Sequence, residues 1–151
     1  MEIYEALMRE NGKILAALDR LENTTAHRPE ARSERFRELH SHVRVERKLA
    51  EDQLYPLLLA SPKALPLLRR GHDENREIEE LLAQLAAADP GESRTRYLLE
   101  SLASLVQRHV EWEEHELFPL ARAVISPEHA ALLGEAAAGE QVEFYHRFLE
   151  E

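Results

Sequence analysis

Near the middle of the C-terminal half, His109 and Glu113 interrupt an otherwise apolar helical stripe. Leu102, Val106, His109, Glu113, Leu117, Leu120 and Val124 recur at spacings of three and four, the period of one helix face turned to a core. At i and i+4 the imidazole and the carboxylate point the same way, one turn apart. A carboxylate on such a face needs a cation or a charged neighbour, because burial without one is costly. A nitrogen and an oxygen donor aimed at one point suit iron, zinc or manganese. An internal ion pair is the plainer alternative.

Five helices have to position these side chains. Only 5 glycines, set among many Ala, Leu, Glu and Arg residues, favour helix throughout. The first helix spans about residues 2–22, with Ile3, Leu7, Asn11, Ile14, Leu18 and Leu21 on one face. The second covers about 31–58, with Leu39, Val43, Glu46, Ala50, Leu54 and Leu57 inward; Pro56 is expected to kink or end it. Ser61-Pro62 and Pro66 mark a turn and a restart. The third helix carries Asn75, Ile78, Leu82 and Leu85 and stops at Asp89-Pro90-Gly91. Ser93 is the expected cap of the fourth, and Ser126-Pro127-Glu128 opens a fifth. With no long linker, the chain is expected to be one domain over 1–151, its core over 2–125 and a C-terminal helix over 127–150.

An internal repeat orders the helices. Leu54-Tyr55-Pro56 matches Leu117-Phe118-Pro119 at an offset of 63, and Glu10-Asn11 matches Glu74-Asn75 at an offset of 64. Two similar helical hairpins make an all-α, up-down-up-down four-helix bundle. Each stripe is broken by polar residues at one level: Asn11, Glu46, Asn75, and His109 with Glu113. Four breaks in one layer describe a site.

The run from His109 through Glu113 to Leu117-Phe118-Pro119 resembles the last His-x-x-x-Glu and Leu-Phe-Pro ending of the hemerythrin-like (HHE cation-binding) family. Asp52-Gln53-Leu54-Tyr55-Pro56 resembles the end of that family's second helix, and Ser126-Pro127-Glu128 its turn after the bundle. The resemblance covers about residues 2–138. It implies a hemerythrin-like bundle with an additional C-terminal helix and a non-haem iron cofactor, normally two irons held by five or more His and carboxylate ligands. It also implies roles in oxygen binding or sensing, nitric-oxide and oxidative-stress responses, or iron handling.

Several of the family's ligand positions are replaced. Asn11 and Asn75 stand where helices one and three carry His in the family. They are expected to hydrogen-bond, either behind the ligands or to each other across the bundle. On helix two, counting back from Leu54-Tyr55-Pro56 puts Glu46 at the His position and Ala50 at the Glu position. Alternatively, His42-Val-Arg-Val-Glu46 mimics His109 to Glu113, as if four residues were inserted after it; about 400° of helix and ~6 Å of rise nearly preserve the face. Both registers keep Glu46 inward. His72 lies one turn before Asn75. The candidate metal ligands are therefore His109, Glu113 and Glu46, joined by His42 if the insertion register holds and by His72 if helix three brings it to the level of Glu113. Set against these are a buried polar cluster or arginine pair for Glu46 and solvent exposure for His42 and His72.

Composition trims the functions. A formal charge of -10 argues against nucleic acid or an anionic membrane as partner, while leaving room for a cation. The absence of Cys removes disulfides, thiolate chemistry and iron–sulfur clusters. No long apolar run or signal-peptide pattern occurs, so cytoplasm is the expected compartment. Tyr55, Trp112 and Phe118 read as packing, His115 as surface, and His27, His129 and His146 as lying outside the core stripes. Two functions follow. One is a modified non-haem iron site, mono- or di-iron, open to a small diatomic ligand or peroxide, with no reaction assigned. The other is a metal-free bundle that acts as an interaction module, with Val142, Tyr145, Phe148 and Leu149 forming a contact face for a partner or a homodimer.

Overall fold

Ile3–Glu22 forms α1, and Ile3, Leu7, Asn11, Ile14, Leu18 and Leu21 are buried along it as their spacing requires. In this computed structural model residues 1–24, 28–89 and 91–149 are described, without the side chains of residues 142, 144–146, 148 and 149. Helix α2, Pro29–Leu49, starts on a proline whose fixed φ suits a first turn. It continues through a π-helical turn, Ala50–Leu54, into α3, Tyr55–Leu58. Helix α4 is Leu65–Ala87, with Pro66 in its first turn. Helix α5, Ser93–Trp112, passes through a second π turn, Glu113–Leu117, into α6, Phe118–Val124. Ser93 is the first helical residue of α5 and Glu92 its extended N-cap, so the cap lies one residue before the expected serine. Helix α7 is Pro127–Leu149, and Ser126 Oγ accepts the His129 N–H at 3.2 Å. The described residues contain helices and turns and no strand.

The two π turns explain why Pro56 does not end its helix. A proline inside an α-helix lacks a donor and presses its ring on the carbonyl four residues back. Widening the turn just before Pro56 and Pro119 relieves that clash and carries the rod through. The extra residue in each turn also shifts the buried face by one. Leu58 and Ala121 are fully buried where the periodicity predicts Leu57 and Leu120, which are only partly so. Ile125 is 7% exposed and Val124 is 45% exposed, reversing the predicted order.

Two apolar clusters fill the bundle. One contains Tyr4, Leu7, Leu49, Leu54, Trp112 and Phe118; the other contains Ile14, Leu18, Leu39, Leu82, Leu102 and Val106. At about 1.5–3 kcal/mol for each fully buried large apolar side chain, these clusters are the main source of stability. Between them, the buried polar residues Glu10, Asn11, Glu46, Asn75, His109 and Glu113 form one layer. Helix α7 lies on α1 and α2 and adds Ala130 and Ala137 to the first cluster. Its side chains also reach the bundle: Gln141 Nε2 donates to Glu10 Oε1 at 2.8 Å, and Glu140 Oε1 accepts from Gln53 Nε2 at 2.7 Å. No described helix is long and apolar enough to cross a membrane.

Candidate metal centre

The polar layer gathers three ligand-type side chains. One donor atom each from Glu46, His109 and Glu113 lies within 4.8 Å of the others, and all three residues are buried. Helix α2 supplies Glu46, α5 supplies His109, and Glu113 opens the second π turn. His109 Nε2 stands 3.8 Å from Glu113 Oε1, too far for a hydrogen bond. Glu46 Oε1, His109 Nε2 and Glu113 Oε2 are all buried without a hydrogen-bond partner. No lysine or arginine among the described residues pairs with Glu46 or Glu113, so the arginine pairing considered for Glu46 does not occur there. Three orphaned donors in one place are costly for a protein to keep. A cation with ligands at about 2.1 Å would satisfy all of them after small side-chain rotations.

The surrounding residues orient these donors. His109 Nδ1 donates to Glu74 Oε1 at 2.9 Å, which directs the Nε2 lone pair into the site. Burial raises the Glu74 pKa, but the His109 hydrogen bond and charge, with help from Arg70, outweigh it and hold that carboxyl below its usual range. Trp112 packs on His109 with ring centroids 5.3 Å apart. Asn11 Nδ2 donates to Glu113 Oε1 at 3.2 Å, and Asn75 Nδ2 donates to Glu51 Oε1 at 3.1 Å. The two asparagines therefore serve carboxylates and do not pair with each other, because each finds an acceptor on the opposite hairpin. Burial, then the Glu46 charge and hydrogen bond, push the Glu113 pKa well above the ordinary carboxylate range. Burial likewise raises Glu46. Two carboxylates in such contact share a proton when no cation is there.

His42 and His72 stand apart from this cluster. His42 Nδ1 faces the buried Glu10 carboxylate at 3.9 Å, and burial lowers its pKa against the pull of Glu10. His72 is half exposed, 3.4 Å from Glu51, with its ring against Tyr55. The two π turns start at Ala50 and Glu113, an offset of 63 that aligns Glu46 with His109 and Ala50 with Glu113. His115 is exposed, as its position two residues past Glu113 requires. Sequence reasoning missed Glu74, Glu51 and Glu10 as supporting carboxylates. The repeated Glu-Asn dipeptide was the available signal: Glu10 faces His42 much as Glu74 bonds His109.

The model of the hemerythrin HHE cation-binding domain family matches residues 2–121. The chain belongs to that family. Among solved structures, this hemerythrin-like chain is similar to the crystal structure of a hemerythrin HHE cation-binding domain-containing protein from Mycobacterium kansasii. The two are 22% identical and superpose with a TM-score of 0.85, covering 97% of this chain and 89% of that one. That likeness establishes the hemerythrin-like bundle with its added helix. No curated protein matches the chain. In this hemerythrin-like protein the residues present suit a cation: two carboxylates and an imidazole, their free atoms converging and a carboxylate behind the imidazole.

Proposed function

We propose that this hemerythrin-like protein binds a single non-haem iron ion through Glu46, His109 and Glu113 and offers its open side to a small ligand. The observation that carries this reading is the convergence of Glu46 Oε1, His109 Nε2 and Glu113 Oε2, each buried and unpartnered. One ion follows from the ligand count, since His42 and His72 are engaged with Glu10 and Glu51 instead. Three protein ligands leave positions for an external one, as in iron sites that bind or sense dioxygen, nitric oxide or peroxide. When bound, the ion would supply Lewis acidity and one-electron redox capacity. The protein's own part is to fix the imidazole through Glu74, hold Glu113 through Asn11 and cover His109 with Trp112. Cytoplasm remains the proposed compartment, and His42 and His72 remain conditional ligands that would need to leave their carboxylates.

Thermal denaturation under anaerobic Fe(II) tests the reading, because an ion that binds only the folded chain raises the melting temperature with concentration. The rise is expected for the wild type and should vanish in His109→Ala. A melting temperature indifferent to Fe(II) would favour the metal-free interaction module. The contact face of that module, at Val142, Tyr145, Phe148 and Leu149, lies outside the described side chains.

A further inference from the structure

Tyr55 is 3% exposed, and its Oη is buried without a hydrogen-bond partner among the described residues. A hydroxyl placed so has given up water and makes no well-formed hydrogen bond; Asn75 acts only as a donor toward its oxygen, which leaves the O–H itself unplaced. Its repeat counterpart, 63 positions on, is the fully buried Phe118, which packs against Tyr4 at 5.7 Å between ring centroids. A phenyl ring therefore satisfies the packing of a Leu-aromatic-Pro segment in this bundle. The hydroxyl of Tyr55 is surplus to packing.

Its surroundings give the hydroxyl a direction. Gly71 on α4 lies against it: a Cβ there would stand 2.3 Å from Tyr55 Oη and 2.9 Å from Trp112 Cη2. The missing methyl is what allows the phenol and the indole edge to meet at α4. Trp112 in turn packs on His109, and its Nε1 is also buried without a partner. Burial first, and then the charges of Glu113, Glu46 and Glu51, raise the pKa of the phenol. The nearby Asn75 amide donates to Glu51. A protonated phenol thus stands beside the three-residue cluster with its donor unused.

We propose that Tyr55 is a ligand-orienting residue whose hydroxyl, seated in the notch left by Gly71, donates a hydrogen bond to a small anionic or diatomic molecule bound to the ion. The inference rests on the reading of Glu46, His109 and Glu113 as metal ligands. Tyr55→Phe deletes the hydroxyl and keeps the ring. Wild type and variant are loaded with Fe(II), oxidised in air, desalted and titrated with azide, following the azide-to-iron absorption band. Equal iron content is expected, with azide binding about tenfold weaker in the variant, the loss of one hydrogen bond to a charged ligand. The metal-free variant should melt at the same temperature or higher. Equal azide affinity at equal iron content overturns the role. So does a tyrosinate-to-iron band in the wild type that the variant lacks, or iron loss in the variant alone, since either makes Tyr55 a ligand of the ion. A wild type that retains no iron removes the metal reading itself, an outcome distinct from these. If Tyr55→Phe fails to fold, Gly71→Ala keeps the phenol but crowds its hydroxyl; weaker azide binding is expected there too, and unchanged binding overturns the proposal.

Discussion

At the scale of single residues, the Glu46–Glu113 contact is a repulsion that a cation would relieve. The raised pKa of Glu113 means that the folded, metal-free chain keeps this proton to a higher pH than the unfolded chain does. Its contribution to stability is full below the ordinary carboxylate range and is lost as pH rises toward the raised value. Glu113→Gln removes that loss. In metal-free protein the variant is therefore expected to gain on the wild type between pH 5 and pH 8, by roughly 1–3 kcal/mol at the upper end. With Fe(II) present the order should invert if Glu113 is one of its ligands, as proposed. Melting curves at the two pH values, with and without metal, check both signs. Glu74→Gln leaves the three ligands in place but loosens the imidazole, and about 10–100-fold weaker metal binding is expected by competition with a chelator. His109 and Glu113 were legible in the sequence because they break an apolar stripe. Glu74 was not, since it sits on the flank of α4 and reads as a solvated acid until α5 is packed beside it.

At the scale of elements, periodicity located the rods but could not count through a π turn. The stripes on α1 and α4 follow the α-helical period without interruption, so Ile14, Leu18, Ile78 and Leu82 are buried where that period places them. In the other two rods the period holds up to Leu54 and Leu117 and then slips by one residue, because a widened turn consumes an extra position. The prolines were the visible trace of that slip. Their cost is avoided by the turn before them, so neither ends its helix. This gives a sharp test at neighbouring positions. Val124→Asp is expected to change stability by no more than about 0.5 kcal/mol, whereas Ile125→Asp should cost several kcal/mol, to roughly 3 or more. A sequence read by α-helical period alone demands the opposite order, and urea denaturation of the two variants decides between them.

At the scale of the whole molecule, the bundle and the fifth helix share one polar layer. Helix α7 reaches that layer through Gln141 and Glu10, and grips the first π turn through Glu140 and Gln53. Its other anchor is the chain's own beginning: a Cβ at Gly134 would fall 1.9 Å from the Met1 carbonyl oxygen. Gly134→Val is accordingly expected to lift α7 from α1 and destabilise the protein by about 1–3 kcal/mol, measured by denaturant unfolding, with Glu46, His109 and Glu113 untouched. The fold class was readable because the hairpin repeat and short connections leave few alternatives. The docking of α7 was not, since its polar contacts to Glu10 and Gln53 carry no periodic signal. How many ions the shared layer holds is decided by iron content per chain, measured after anaerobic Fe(II) loading and desalting. One retained iron per chain is expected, lost on Glu113→Gln; two irons, or none, would overturn the single-ion site.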